Sequence, residues 1–154
     1  TDYREEPGQL RQSTKSGFEA YRVEQVNKET GEKYFVTRYK PVSYTEHYQE
    51  NKARIAVNYR LISLETGEVL MSKSFDRESE DHMYYATYTG NRDALYPSLN
   101  GAADLSNNRR GDLRNLLNAP REVKSSATLG SELVRQGTVQ MAAAIQQELN
   151  ERLP

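Results

Sequence analysis

The clearest pattern along the chain is the alternation of apolar and polar positions in residues 53–63. One face of this run carries Ala53, Ile55, Val57, Tyr59 and Leu61, and polar residues occupy the other. A period of two residues is typical of a β-strand with one buried face. The run of residues 69–75 has a similar pattern, and a short loop containing Gly67 separates the two. The sequence therefore predicts a β-hairpin here.

Two near-identical segments predict tight turns between strands. Residues 28–32 read Lys-Glu-Thr-Gly-Glu and residues 64–68 read Leu-Glu-Thr-Gly-Glu. Gly31 is free to adopt a positive φ, which such turns require. We expect residues 18–78 to form a meander of three or four antiparallel strands. Within this meander, Pro41 predicts an edge position, a bulge or a break in the strand. Residues 50–52 predict a further turn.

The last part of the chain has a helical pattern. Large or small apolar residues recur every four positions, namely Leu129, Leu133, Gly137, Met141, Ile145 and Leu149. This spacing predicts an amphipathic helix over residues 126–152, with Ser126 or Thr128 as its N-cap. Gly137 weakens a helix by about 1 kcal/mol relative to Ala, but on the buried stripe it permits close approach to the sheet.

The remaining segments give weaker signals. Residues 1–16 are polar and predict an irregular lead-in, and residues 98–121 predict a long loop with one short helix from Asp112 through Leu117. The 154 residues suit a single domain. The predicted fold class is α+β: an antiparallel sheet of three to five strands with the C-terminal amphipathic helix packed on one face.

Composition narrows the range of functions. The chain has 21 basic and 22 acidic residues, and this net charge of -1 argues against general nucleic-acid binding. It has no cysteine, which excludes disulfides, thiol nucleophiles and cysteine metal sites. No apolar run approaches the roughly 20 residues of a membrane helix. Because the chain starts at Thr1 rather than Met, we interpret it as a processed or truncated piece of a longer protein.

Two groups of residues are candidates for metal or catalytic sites. His47 and His82 match no metal-binding spacing, and we expect them at the surface or at strand ends. Asp76, Glu78 and Glu80 would share one face of a strand and so offer carboxylates to a hard cation. The calcium-loop signature is missing, which favours a solvated strand end. No cofactor and no metal are predicted.

Tyrosines are the best candidates for binding, because the chain has 11 Tyr, 3 Phe and no Trp. The predicted binding residues are Tyr39, Tyr44, Tyr48, Tyr84, Tyr85 and Tyr88, together with Arg109 and Arg110. Tyrosine offers a large contact area at low entropic cost. The alternative for the tyrosines is cross-strand packing within the fold. The arginines suit binding to an anionic partner. The alternative is that they lie on a solvated loop and bind nothing.

The segment Leu61-Ile62-Ser63-Leu64-Glu65-Thr66-Gly67-Glu68-Val69-Leu70 carries a family resemblance. It resembles the strand–turn–strand of bacterial envelope lipoproteins related to the curli-secretion channel and the penicillin-binding-protein activator family. The later strand and the helix containing Ala142-Ala143-Ala144-Ile145 extend the likeness. The resemblance implies a periplasmic or outer-membrane location and a lipid anchor missing from this chain. It transfers no functional residue, because the matching positions are structural.

The expected function is a non-catalytic module of the cell envelope for protein binding or assembly, forming part of a larger lipoprotein. Its partner would be another envelope protein or a second copy. The alternative is a carbohydrate-active or other hydrolase that uses Glu46, Asp76, Glu78 or Asp81 as paired carboxylates with tyrosine stacking. A third hypothesis is a cytosolic regulatory domain that binds a small ligand, but no motif in the sequence supports it.

Overall fold

The computed structural model describes residues 1–153. In these residues it has six strands, which form one antiparallel sheet in the order β1-β3-β2-β5-β6, with β4 paired to β3. The strands are β1 (Asp2–Glu6), β2 (Arg11–Val26), β3 (Lys33–Ile62), β4 (Val69–Thr87), β5 (Leu95–Leu99) and β6 (Ala102–Ala103). The helices are α1 (Asn107–Leu117), α2 (Ser126–Arg152) and the short 3-10 helix η1 (Arg92–Ala94). The predicted α+β class and the packing of the C-terminal helix on the sheet are confirmed, and the sheet is larger than the three to five strands expected.

The chain, expected to form one domain, divides into two compact units, each assembled from separate stretches. The first unit contains residues 1–9, residues 50–82 and the chain from Val123 onward. The second unit contains Leu10–Gln49 and Met83–Glu122. Strands β3 and β4 each contribute residues to both units.

The core of the first unit forms between the sheet and α2. Ala53 and Ile55 on β3, Phe75 on β4, and Leu129 and Leu133 on α2 make one buried cluster. These are the apolar faces that the two periodicities predict. A Cβ atom on Gly137 would lie 3.1 Å from the Phe75 ring, so this glycine does allow the close approach expected of it. The helix is capped by Ser125, whose side chain accepts the Thr128 N–H at 3.0 Å, rather than by Ser126 or Thr128.

The second unit is built on a long hairpin of β2 and β3. These strands pair continuously from Arg11 opposite Tyr48 to Val26 opposite Lys33. On its other edge, β2 pairs with β5 at Gly17, Phe18 and Glu19 alone. The core of this unit comprises Tyr44, Ala86, Leu95, Leu113 and Leu117, so that α1 closes over the sheet residues.

Both predicted turns are confirmed and have the same geometry. The Gly31 N–H donates to the Asn27 carbonyl and the Gly67 N–H to the Ser63 carbonyl, at 2.8 and 2.9 Å. The two glycines adopt φ of 72° and 71°, a left-handed conformation that side chains disfavour. The repeated Glu-Thr-Gly-Glu sequence therefore reflects one turn geometry used twice.

Three local predictions are wrong. Residues 1–16 are not an irregular lead-in, because they contain β1 and the start of β2. Residues 50–52 are not a turn but lie inside the 30-residue strand β3, where β1 pairs with them. The short helix in residues 98–121 starts at Asn107, after Ser106, and not at Asp112. Pro41 lies within β3, opposite Phe18, so the strand does not break there.

Candidate functional site

The predicted binding residues all belong to the second unit, where one of them is buried, five are half-buried, and Tyr84 and Arg109 are exposed. Tyr44 is only 8% exposed and lies in the core. Burial raises the pKa of its hydroxyl above the ordinary value. Tyr44 therefore contributes to packing rather than to an open surface.

Strands β3 and β4 bring three of the other tyrosines and His47 into two separate ring pairs, which lie on opposite faces of the sheet. Tyr48 and Tyr84 meet edge to face, with ring centroids 6.0 Å apart. Tyr85 stacks on the His47 ring at 4.6 Å and 11°, and the Arg121 guanidinium lies 5.3 Å from the Tyr85 centroid. The His47 Nε2 atom lies 2.8 Å from Thr87 Oγ1. These contacts are cross-strand packing within the fold, which the sequence analysis gives as the alternative to a binding role for the tyrosines.

Tyr88 is held by a carboxylate that sequence analysis did not single out. Its hydroxyl donates to Glu19 Oε1 at 2.9 Å, and the Asn91 N–H donates to the same oxygen at 2.7 Å. Lys40 Nζ lies 3.1 Å from Glu19 Oε2. The Asn91 N–H, Lys40 and Tyr88 lower the pKa of Glu19, and burial together with Glu19 raises the pKa of Tyr88 to about 12. Glu19 thus fastens the chain after β4 to strand β2.

Tyr39 and Arg110 pack against the same ring, Tyr96, whereas Arg109 pairs separately with Asp104. Tyr39 meets Tyr96 edge to face at 5.5 Å, and the Arg110 guanidinium lies 4.1 Å above the Tyr96 ring. Arg110 also donates to the Asp93 carbonyl at 2.9 Å. Arg109 is exposed and lies 3.3 Å from Asp104, which the Ser106 N–H and Arg109 keep ionised by lowering its pKa. Of the predicted residues, Arg109 is therefore among the most accessible to an anionic partner.

Two clefts lie against η1 in this unit. One, of about 430 Å³, is lined by Arg92, Arg114 and Asn118 among others. Arg92 donates to the Leu117 carbonyl and, at 3.0 Å, to Asn118, so it is occupied in closing the end of α1. The other cleft, of about 560 Å³, runs beside Ala20, Tyr21 and Arg22 on β2. The lining of this second cleft also includes Glu19 and Asp93, so it is bordered by both β2 and η1.

The carboxylates of the hydrolase alternative are divided between the units. Glu46 belongs to the second unit, and Asp76, Glu78 and Asp81 belong to the first. Asp76 pairs with Arg54 at 3.0 Å, and Asp81 accepts the Lys124 N–H at 2.9 Å, which lowers the pKa of Asp81. In residues 1–153 no group of three His, Asp or Glu side chains is placed to hold a metal ion.

The most exposed aromatic surface was not among the predicted residues. We call residues 20–26 of β2 and 33–39 of β3 the hairpin ribbon. Phe35 is 65% exposed there, and Tyr21, Val26 and Tyr34 are also exposed. A signal was present in the sequence: the adjacent Tyr34 and Phe35 point to opposite faces of a strand, so no single buried face can absorb both.

Comparison with known proteins supplies no relative for this site. No family model, no curated protein and no solved structure matches the chain. None of the helices in residues 1–153 combines the length and apolar character needed to cross a membrane. The function is therefore inferred from the surface of the chain itself.

Proposed function

We propose that this chain is a non-catalytic module of the cell envelope for protein binding or assembly, and that the hairpin ribbon is its contact surface. The observation that carries the proposal is the exposure of apolar side chains on both faces of the ribbon. Beyond Glu19, strand β2 has left its pairing with β5, and β3 is its remaining strand partner in the described residues.

The pairing register shows how these side chains are distributed. Tyr21, Val23, Tyr34 and Val36 share one face, because Val23 lies opposite Val36 and Gln25 opposite Tyr34. Val26 and Phe35 lie on the other face. A two-stranded ribbon in water is marginally stable by itself, and exposed apolar groups concentrated in one place are typical of protein interfaces. A partner that covers the ribbon would both stabilise it and remove its apolar side chains from water.

The envelope location is the part of the proposal that the resemblance of residues 61–70 supports. It is tested by fractionating cells that make the full natural protein. Recovery with the envelope or periplasmic fraction supports the location. Recovery with the cytosol, alongside a cytosolic marker enzyme, contradicts it without affecting the binding surface.

The binding surface is tested by site-specific photo-crosslinking in the same cells. A photoreactive phenylalanine analogue replaces Phe35, and the control places it at Leu64, which is 102% exposed in the turn of the β3–β4 hairpin. We expect discrete adducts of defined mass from position 35 and none of the same mass from position 64. Identical patterns at both positions, or no adduct at 35, would reject the ribbon as the contact surface.

A further inference from the structure

We infer that the partner of the hairpin ribbon is a second copy of this chain, joined by antiparallel pairing of the two β2 edges about a two-fold axis. The inference rests on the proposed function, since it names the occupant of the open β2 edge of the same hairpin ribbon. It predicts a four-stranded sheet made of two ribbons, in the order β3-β2-β2-β3.

The edge of β2 is open where the pairing requires it. β5 occupies that edge at Gly17, Phe18 and Glu19, and no strand of residues 1–153 pairs with it from Ala20 to Val26. Beside Ala20–Arg22 this edge faces the cleft of about 560 Å³, whose opposite wall includes Asp93 and Ala94 of η1. Because η1 stands across the cleft, the backbone that can accept another strand is that of residues 22–26.

The hydrogen-bond pattern shows which groups point outward. The Asn27 N–H donates to the Glu32 carbonyl at 2.8 Å across the hairpin. Because bonded and non-bonded pairs alternate along an antiparallel ladder, residues 21, 23 and 25 also direct their polar groups towards β3. Ala20, Arg22, Glu24 and Val26 therefore direct their N–H and C=O groups towards the open edge.

Charge selects one register for the self-pairing. When Val23 lies opposite its own copy, Arg22 lies opposite Glu24 of the second chain, and the two-fold axis repeats this pair. Opposite charges in such cross-strand positions are favourable, and like charges are not. A shift by two residues places either Arg22 opposite Arg22 or Glu24 opposite Glu24. Both neighbouring registers are thereby disfavoured.

The other edge of the ribbon lacks this complementarity. Residues 33–40 of β3 contain Lys33, Arg38 and Lys40 and no acidic residue. Pairing of this edge with itself would bring only positive charges together. The β2 edge also gains apolar contact, because Val23 meets Val23 across the two-fold axis. These features make β2 the self-complementary edge of the ribbon.

The test uses two charge-reversal variants of the full chain, Arg22→Glu and Glu24→Arg. Each places like charges opposite each other in its own dimer, whereas a mixture of the two restores opposite charges at both positions. Sedimentation velocity across a concentration series should show a dimer for the unmodified chain. We expect each variant alone to have a dimer dissociation constant raised about tenfold or more, and the mixture to regain dimers.

The control is Glu29→Arg, which makes the same charge change in the turn, away from the edge. It should dimerise like the unmodified chain. Glu24→Pro gives a second test, because it removes an outward N–H that the β2–β3 ladder does not use, and it should also abolish the dimer.

The outcomes separate this inference from the proposed function. An unmodified chain that stays monomeric, or variants that dimerise unchanged, would overturn the self-pairing. If the Phe35 crosslink then joins a different protein, the ribbon remains the contact surface and only its partner has been misidentified. Folding of each variant is checked by circular dichroism, and the restored dimer in the mixture shows directly that both variants are folded.

Discussion

Asn51 is a buried amide that connects three segments of the first unit. It is 4% exposed. Its Oδ1 accepts the Gly8 N–H at 2.8 Å, and its Nδ2 donates to the Lys124 carbonyl at 3.0 Å. The two bonds satisfy backbone groups from the chain before β2 and the chain before α2. The side chain thus holds both segments against β3.

Replacing Asn51 with Ala should lower the free energy of unfolding by about 2 kcal/mol, because the Gly8 N–H and the Lys124 carbonyl lose their partner. Urea denaturation monitored by circular dichroism measures the change. The control is Asn58→Ala, an exposed position on the same strand, which should stay within about 0.5 kcal/mol. Equal losses at both positions would show that the buried bonds add nothing.

Glu19 gives the second unit a pH dependence whose sign follows from its bonds. Because the Asn91 N–H, Lys40 and Tyr88 favour the charged form, the pKa of Glu19 in the folded chain lies below its ordinary value of 4.5. The stability that it contributes is therefore complete above about pH 4.5 and is lost as the pH falls through the lower, folded pKa.

We expect Glu19→Gln to be less stable than the unmodified chain at pH 7, with a difference that shrinks as the pH falls below 4.5. Urea denaturation of both proteins between pH 7 and pH 3 measures it. The comparison cancels other carboxylates, such as Asp81 and Asp104, which are present in both proteins. A difference independent of pH would mean that the charge of Glu19 has no role. Glu29→Gln, in the exposed turn, is the control and should change little at any pH.

At the scale of elements, the packing of α2 depends on the absence of a side chain at Gly137. A Cβ atom there would lie 3.1 Å from Phe75, which is 3% exposed and has little freedom to move. We predict that Gly137→Leu lowers the free energy of unfolding by about 1–3 kcal/mol, because it overfills the contact between helix and sheet.

A glycine in the other helix provides the matched control for Gly137. Around Gly111 in α1, a Cβ atom would meet nothing within 4 Å. The same substitution here, Gly111→Leu, should therefore not destabilise the chain and should raise the free energy of unfolding by up to about 1 kcal/mol through helix propensity. Thermal and urea unfolding of both variants measure the two effects. A Gly137→Leu variant as stable as the unmodified chain would mean that α2 can move away from the sheet.

Elements with a periodic or conformational signal could be predicted from the sequence. The alternation in residues 53–61, the glycines of both turns and the four-residue period of α2 all reappear in the structure. The strand β1 has five exposed residues and so carries no apolar period. It forms because β3 offers it an edge, which is information from a distant part of the chain. The predicted turn at residues 50–52 is wrong for the same reason, because the hydrogen-bond partners of Asn51 are remote in sequence.

The candidate site was predicted less well, because residue type does not show which neighbours a side chain meets. Tyr44 and Tyr85 have the composition of a binding surface, but the core and His47 cover them. Whether the predicted tyrosines contact a partner stays a prediction. Exposure at Phe35 depends on which elements pack against its face of the ribbon, and no local pattern specifies that.

At the scale of the whole molecule, the open strand edges differ in charge. In the described residues β4 pairs with β3 alone, which leaves its outer edge without a strand partner. The middle of β4 places Asp76, Glu78 and Glu80 on one exposed face. Charges on an edge strand oppose pairing with another copy. The acidic stretch of β4 therefore disfavours pairing with a second copy, whereas the Arg22–Glu24 pattern of β2 is self-complementary. The proposed association through β2 alone would close as a dimer rather than grow into a fibre.

We predict that replacing Glu78 and Glu80 together with Thr makes the chain aggregate at concentrations where the unmodified chain stays clear, because the β4 edge loses its repulsive charges and gains β-forming residues. Static light scattering and the soluble fraction after incubation measure the effect. The control replaces Glu65 and Glu68, in the β3–β4 turn, with Thr, which makes the same change in net charge away from the strand edge. Aggregation of the control to the same extent would attribute the solubility to total charge. Aggregation confined to the β4 variant would show that the acidic strand directs assembly away from this edge.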